Sequence, residues 1–129
     1  MQSHDSNPDL EALIASSADV CMKPWRHAVV SSGDFHHVNS QHLKKDWTFL
    51  IQCRNQEGER FSNRDIEIEI YQSGDEINLI LGWFDQPERP ILWQGKHPVW
   101  MNGDTGERCL APEDGSALEA LARRLRALF

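Results

Sequence analysis

The sequence has no long apolar run and no recognisable targeting segment. Its longest uninterrupted apolar stretch is six residues, Leu79 to Phe84, and includes a glycine. A helix that crosses a bilayer needs roughly 18 such residues. The opening MQSHDSNPDL has neither a basic region nor an apolar stretch, which argues against a secretory signal. We therefore expect a cytoplasmic protein that does not associate with a membrane.

The sequence has few cysteines, and its acidic residues outnumber its lysines and arginines. Cys21, Cys53 and Cys109 are odd in number, far apart and outside any CxxC pattern, so we expect neither a disulfide framework nor a zinc ribbon. The 13 lysines and arginines stand against 20 acids, for a net charge of −7. Because a phosphate backbone favours basic surfaces, we expect no nucleic-acid partner.

The composition is otherwise that of an ordinary folded domain. The 129 residues are 40% hydrophobic and 26% charged, which is sufficient for one core without disulfide or metal support. We predict a single α+β domain over residues 1–129. Residues 1–6 carry no apolar anchor, so we expect this short segment to be disordered.

Helical spacing occurs at the two ends of the sequence. Asn7 and Pro8 are typical of a helix start, and Ser116 with Glu119 has the spacing of a capping box at a second one. Both segments carry apolar residues at helical intervals, which predicts two amphipathic helices. These residues are Leu10, Leu13, Ile14, Ala18 and Cys21 in the first segment, and Leu118, Leu121, Ala122, Leu125 and Leu128 in the second.

Strict alternation replaces the helical period between Trp47 and Phe84 and predicts three antiparallel strands. We predict a register in which Ile68 faces Ile51 on one side and Leu81 on the other. The segment WRHAVV predicts a short strand before these three, and ILWQ predicts a short strand after them. HPVWMNGDTGERCL predicts a hairpin with Asn102-Gly103 at its turn. The predicted fold is α+β, an antiparallel meander of about five strands flanked by an N-terminal and a C-terminal helix.

One face of this sheet carries more apolar side chains than a solvated face needs. If Ile66, Ile68 and Ile70 face the core, the opposite side presents apolar residues among charged ones. A solvent-facing sheet normally stays polar, so we predict a contact surface there. Its predicted members are Leu50, Arg54, Tyr71, Ile80 and Phe84. The alternative is that the C-terminal helix, or the chain after Pro87, covers this face.

Tryptophan is concentrated in the C-terminal half. Trp83, Trp93 and Trp100 fall within eighteen residues, a grouping that could line a pocket for a planar ligand. The alternative is that all three belong to the core.

Glu67 and Glu69 lie two residues apart on one predicted strand and could act as a carboxylate pair in acid and base chemistry. We expect these two glutamates to be solvated.

Histidine is concentrated in DFHHVNSQH, residues 34–42. His36, His37 and His42 are candidate metal ligands, but no predicted helix or strand holds them in register. We therefore predict no metal site. The glycines form no nucleotide-binding pattern, and Cys53 belongs to an apolar alternation. We predict neither a catalytic nucleophile nor a cofactor.

These patterns favour a binding protein over an enzyme. We expect an acidic cytoplasmic protein that forms a homodimer, or binds another protein, through the sheet face that bears Ile80. The alternative is an enzyme that binds a small molecule or a metal, using the tryptophan-rich half or the histidine-rich segment. We recognise no family motif in the sequence.

Overall fold

The structure, a computed structural model, describes residues 8–31 and 47–129. Helix α1 is Pro8–Cys21 and helix α2 is Gly115–Arg126, and a short 3-10 turn spans Ser62–Arg64. The strands are β1 (Arg26–Ser31), β2 (Trp47–Arg54), β3 (Ile66–Ser73), β4 (Glu76–Trp83), β5 (Ile91–Gln94) and β6 (Pro98–Met101). The predicted α+β meander between two helices is confirmed, with six strands. The expectation for residues 1–6 lies outside the described residues.

The six strands form one antiparallel sheet in the order β1-β2-β3-β4-β5-β6. β3 and β4 are joined by a tight turn between Ser73 and Glu76, which are opposite each other. Gly74 is the first central residue of this turn, with φ of 63°. Glycine adopts that left-handed conformation without strain, and hairpins of this kind often carry it at that position. The sheet order also means that each strand pairs with the strand before it in the chain.

The register between β2 and β3 differs from the predicted one. Ile68 is opposite Leu81 on β4, as predicted, but on β2 it is opposite Phe49, and Ile51 is opposite Ile66. The predicted pairing of Ile51 with Ile68 is wrong by two residues. Since side chains alternate with a period of two, such a shift leaves every residue on the same face, and the apolar pattern cannot detect it.

The core lies on the sheet face that carries both helices. One row of side chains crosses five strands, and each member is 5% exposed or less. The row consists of Phe49, Ile68, Leu81, Leu92 and Trp100. Leu118, Leu121 and Leu125 of α2 belong to the same buried cluster. Full burial of such a side chain contributes about 1.5–3 kcal/mol, so this layer is a main source of stability.

Helix α1 contacts β1 and α2 through one row of side chains. Leu10, Ile14 and Ala18 recur at intervals of four residues and are buried. Leu13, about 100° of helix rotation away from Ile14, is 50% exposed. The prediction that Leu13 belongs to the buried stripe is therefore wrong, while Cys21 packs against the edge of the core.

The start of α2 differs from the predicted capping box. The helix begins at Gly115, and the N-cap residue is Asp114. Ser116 is already inside the helix, and the Glu119 carboxylate accepts a hydrogen bond from Trp100 Nε1 at 2.6 Å. A Cβ atom at Gly115 would come within 2.8 Å of the Trp100 ring. The close approach of Trp100 to the start of α2 explains why residue 115 is a glycine. It also explains why Glu119 accepts a hydrogen bond from Trp100 instead of capping the helix.

Candidate functional site

The sheet face opposite the helices, here called the second face, presents the predicted contact residues. All five are partly exposed: Leu50, Arg54, Tyr71, Ile80 and Phe84. Helix α2 packs against β4 and β5 from the core side, and β5 and β6 extend the sheet sideways. The C-terminal helix therefore does not cover this face, and the two strands that follow Pro87 belong to the sheet.

Trp93 also belongs to the second face. It is opposite Ile80 on β4 and Val99 on β6, and its Nε1 atom donates a hydrogen bond to the Tyr71 hydroxyl at 2.9 Å. Directly opposed residues share a face of the sheet, so these four side chains form one cluster, here called the Ile80 patch. Sequence reasoning assigned Trp93 to a different site because the pairing of β5 with β4 was not predicted.

Two buried glutamates lie beside this patch on β3. Glu67 is 2% exposed and Glu69 is 5% exposed, so the expectation that both are solvated is wrong. Glu69 is opposite Ile80, and Glu67 is opposite Leu50 on β2 and Gly82 on β4. The glutamate row separates Leu50 from the Ile80 patch, which divides the predicted contact surface into a part on β2 and a part that extends from Tyr71 at the end of β3 to β6.

The three tryptophans of the C-terminal half do not line one pocket. Trp83 and Trp100 are buried on the core face, where Trp100 is opposite Leu92. Trp93 is on the second face. Consecutive residues of a strand point to opposite faces, so closeness in sequence did not imply closeness in space. Only Trp83 of the three lines the cleft described next.

A cleft of about 430 Å³ opens where four segments meet: the end of α1, the 3-10 turn, the loop after β4 and the start of α2. Its volume is within the range of small-molecule pockets, roughly 300–1,000 Å³. The lining residues of most interest are Lys23, Trp25, Arg64, Trp83, Arg89 and Ser116. No local sequence pattern joins residues so far apart, and sequence reasoning missed the cleft for that reason.

Two arginine–tryptophan pairs form part of the cleft wall. The Arg64 guanidinium carbon lies 4.7 Å from the centre of the Trp25 ring, and that of Arg89 lies 5.1 Å from the Trp83 ring. Trp25 itself packs edge-on against Phe61, with 5.0 Å between ring centres. A cation over an aromatic face is attracted by the ring quadrupole. These contacts hold both guanidinium groups in place.

The loop that carries Arg89 is also held by its neighbours. Both carboxylate oxygens of Asp114 accept hydrogen bonds from Arg89 at 2.7 Å. Gly103 packs against the backbone of the same loop, and a Cβ atom there would come within 2.7 Å of the Arg89 carbonyl oxygen. Because Gly103 has no side chain, the loop that carries Arg89 can pack directly against the backbone at residue 103.

A buried histidine and a buried cysteine lie together on the core face near the cleft. His27 on β1 is opposite Cys53 on β2, and the His27 Nδ1 atom is 2.9 Å from Asp19 Oδ1. The three residue types are those of a thiol protease. However, burial raises the pKa of Cys53, against the opposing effect of Arg64, so the thiol stays protonated near neutral pH. Burial likewise raises the pKa of Cys21 in the cleft. Neither thiol has the lowered pKa of an activated nucleophile.

His27 should make stability depend on pH. Its side chain is 1% exposed, and burial lowers its pKa, against the opposing hydrogen bond to Asp19. Below the ordinary pKa near 6.5, the unfolded chain takes up a proton that the folded ring still resists. We expect the free energy of unfolding to fall as the pH drops from about 6.5 towards the lowered pKa of the folded state, and this group to add no pH dependence above 6.5.

Urea denaturation at several pH values measures this effect. His27→Asn keeps a side-chain N–H for Asp19 but does not titrate, so its stability should fall less than that of the native protein over the same pH range. His97→Asn removes an exposed histidine and serves as the matched control. If both variants kept the native pH dependence, the buried ring would not be its source.

The described residues contain neither a cluster of metal ligands nor a helix that could span a membrane. In the ranges 8–31 and 47–129, no group of three or more His, Cys, Asp or Glu side chains could hold a metal ion. The candidate ligands His36, His37 and His42 lie outside those ranges. None of the described helices is long and apolar enough to cross a bilayer.

Comparison with known proteins gives a family. The family DUF8659, described as a domain of unknown function, matches residues 11–128. Neither a curated protein nor a solved structure matches the chain. The family match covers both helices from Glu11 onward and all six strands of the sheet. The chain therefore belongs to the DUF8659 family.

Proposed function

We propose that this protein is a binding protein that self-associates through its second face. The observation that supports this most is the position of the helices: both pack on one face of the sheet, while the Ile80 patch on the other face is partly exposed. Exposed clusters of apolar and aromatic side chains are typical of protein interfaces. Tyr71 and Trp93 are held by their mutual hydrogen bond, so little side-chain entropy is lost on contact.

A second copy of the chain is the partner that we propose. Two copies of a protein with a net charge of −7 repel each other, so an uncharged patch is the favourable place for them to meet. None of the four residues of the Ile80 patch is charged. In a twofold dimer the same patch occurs on both sides, and apolar groups meet apolar groups. Leu50, Arg54 and Phe84 then lie towards the rim of the interface.

The proposal includes a reducing compartment such as the cytoplasm. All three cysteines are free thiols, and free thiols are usual where disulfides do not persist. A standard stable interface buries roughly 800 Å² per copy. An interface of this size would include the rim residues as well as the Ile80 patch.

Light scattering at several protein concentrations tests the self-association. We expect the native protein to have about twice the 14.8 kDa mass of one chain, and Ile80→Lys to have the mass of one chain. A lysine at position 80 would bring two like charges together at the twofold axis without their water, which costs several kcal/mol. Circular dichroism would establish that the variant is folded.

The matched control is Val20→Lys. Val20 is 48% exposed and belongs to α1, on the other side of the sheet, so this variant should keep the native mass. A native protein that is monomeric at every concentration would sink the proposal. A dimer that persists in folded Ile80→Lys would mean that another surface joins the two copies.

A further inference from the structure

The cleft between the helix ends concentrates positive charge in an acidic protein. Lys23, Arg64 and Arg89 line it, and Asp114 is the one acid among its described lining residues. The whole chain, by contrast, carries seven more acids than bases. Asp114 pairs with Arg89, so the wall keeps a net positive charge from Lys23 and Arg64, and such a concave wall favours a ligand of the opposite sign. The charge of the cleft therefore points to an anion.

Arg64 lines this cleft and also interacts with the buried Cys53 thiol. Its Nε atom is buried and has no partner among the described residues, although buried donors are nearly always paired. The guanidinium cannot turn away freely, because it lies over the Trp25 ring. An unpaired buried donor of a charged group costs free energy, and an oxyanion in the cleft would offset that cost through its attraction to the same guanidinium.

The start of α2 offers further donors on the other side of the cleft. The Asp114 carboxylate makes no capping hydrogen bond to the helix, because both of its oxygens accept from Arg89 instead. Ser116 and Ala117, in the first turn of this twelve-residue helix, line the cleft. Backbone N–H groups and the positive end of the helix dipole both favour an anion at such a position.

From the charge, the unpaired Arg64 donor and the uncapped helix start, we propose that the cleft binds a small organic anion through a phosphate or carboxylate group. The oxyanion lies between Arg64, Lys23 and the first turn of α2. The apolar part of the ligand lies against Trp83. Charge-assisted hydrogen bonds from arginine are the strong ones of their kind, and the tryptophan contacts prearrange the two guanidinium groups. This site is separate from the second face, and its test does not depend on self-association.

Isothermal titration calorimetry with three probes tests the proposal: inorganic phosphate, phenyl phosphate and benzoate. We expect saturable binding of at least one probe with one site per chain and a Kd below about 1 mM. Binding should weaken as salt is added, because the contact is electrostatic. The comparison of phenyl phosphate with benzoate identifies the preferred oxyanion, and inorganic phosphate shows whether the ring contributes. If none of the three probes binds, the oxyanion site is overturned.

Arg64→Gln should weaken binding about tenfold or more, since it removes a charge-assisted donor. Arg108→Gln is the matched control, because Arg108 is exposed on the loop after β6, and it should bind as the native protein does. Equal affinities for these two variants would overturn the assignment. Lys23→Gln is a second test should Arg64→Gln not fold. Lys23 is exposed, and its loss should weaken binding about threefold.

Asp114→Asn should strengthen binding about threefold, because it removes the one acid among the described lining residues and releases Arg89 from its ion pair. Asparagine is as good an N-cap residue as aspartate, so the helix should keep its start. A loss of affinity in this variant would contradict the placement of the anion at the first turn of α2.

Discussion

Leu81→Ala should lower the free energy of unfolding by about 2–5 kcal/mol, whereas Ile80→Ala should lower it by about 1 kcal/mol. The two residues are neighbours on β4 and point to opposite faces of the sheet. Leu81 is fully buried in the central row of the core, so truncation leaves a cavity that the neighbouring side chains do not fill. Ile80 is partly exposed on the second face, and water can occupy the space that its side chain leaves.

Urea denaturation followed by circular dichroism measures both losses. The apparent stability of a dimer depends on protein concentration, so the Ile80 variant should be compared with the native protein at the lowest practical concentration. A larger difference at high concentration would report the lost self-association. Equal losses for the two variants would mean that Ile80 is as enclosed as Leu81, and the second face could not serve as a contact surface.

Asp65→Ala should lower the free energy of unfolding by about 3 kcal/mol. Asp65 is buried directly before β3. Its carboxylate accepts the Cys53 backbone N–H at 2.8 Å and two hydrogen bonds from Arg60 at 2.8 and 3.1 Å. Its backbone carbonyl accepts the Phe84 N–H at 3.0 Å. The residue thus joins the ends of β2 and β4 to the start of β3, and alanine would leave the buried Cys53 N–H without its acceptor.

Asp65→Asn separates the two contributions of this carboxylate. Asparagine keeps one oxygen for the Cys53 N–H but loses the paired contact with Arg60, so its cost should be about half that of alanine. Asp85→Ala removes an exposed aspartate from the loop after β4 and should change stability by no more than about 0.5 kcal/mol. A loss at Asp65 as small as that at Asp85 would show that the network is not needed for the strand junction.

Local patterns predicted most of the fold correctly. Alternation from Trp47 to Phe84 identified three strands and their buried face, because a period of two is a property of the strand itself. The turn at Gly74 determined the pairing of β3 with β4. β2 and β3 are instead joined by eleven residues that include a 3-10 turn, and no short-range rule sets the register across such a connection. The two-residue error occurred at that connection.

The candidate sites were less predictable than the fold. The second face was found from its excess of apolar residues, but Trp93 was assigned elsewhere, and Glu67 and Glu69 were expected to be solvated. Their burial depends on what surrounds the strand and not on the strand's own pattern. The capping box was wrong for a similar reason, since Glu119 takes a partner from a distant strand. In each case a tertiary contact replaced the local one.

The sequence by itself determined the order and type of the elements, the face on which each strand residue lies and the acidic net charge, because each depends on nearby residues or on composition alone. Tertiary structure alone decided the β2–β3 register, the division of the second face by buried glutamates, and the cleft. The cleft wall draws residues from Cys21 to Leu118. The two arginines there are held by tryptophans far from them in sequence, or across a loop. The convergence of the four segments that form the cleft arises only when the helices pack on the sheet, and no spacing along the chain encodes it.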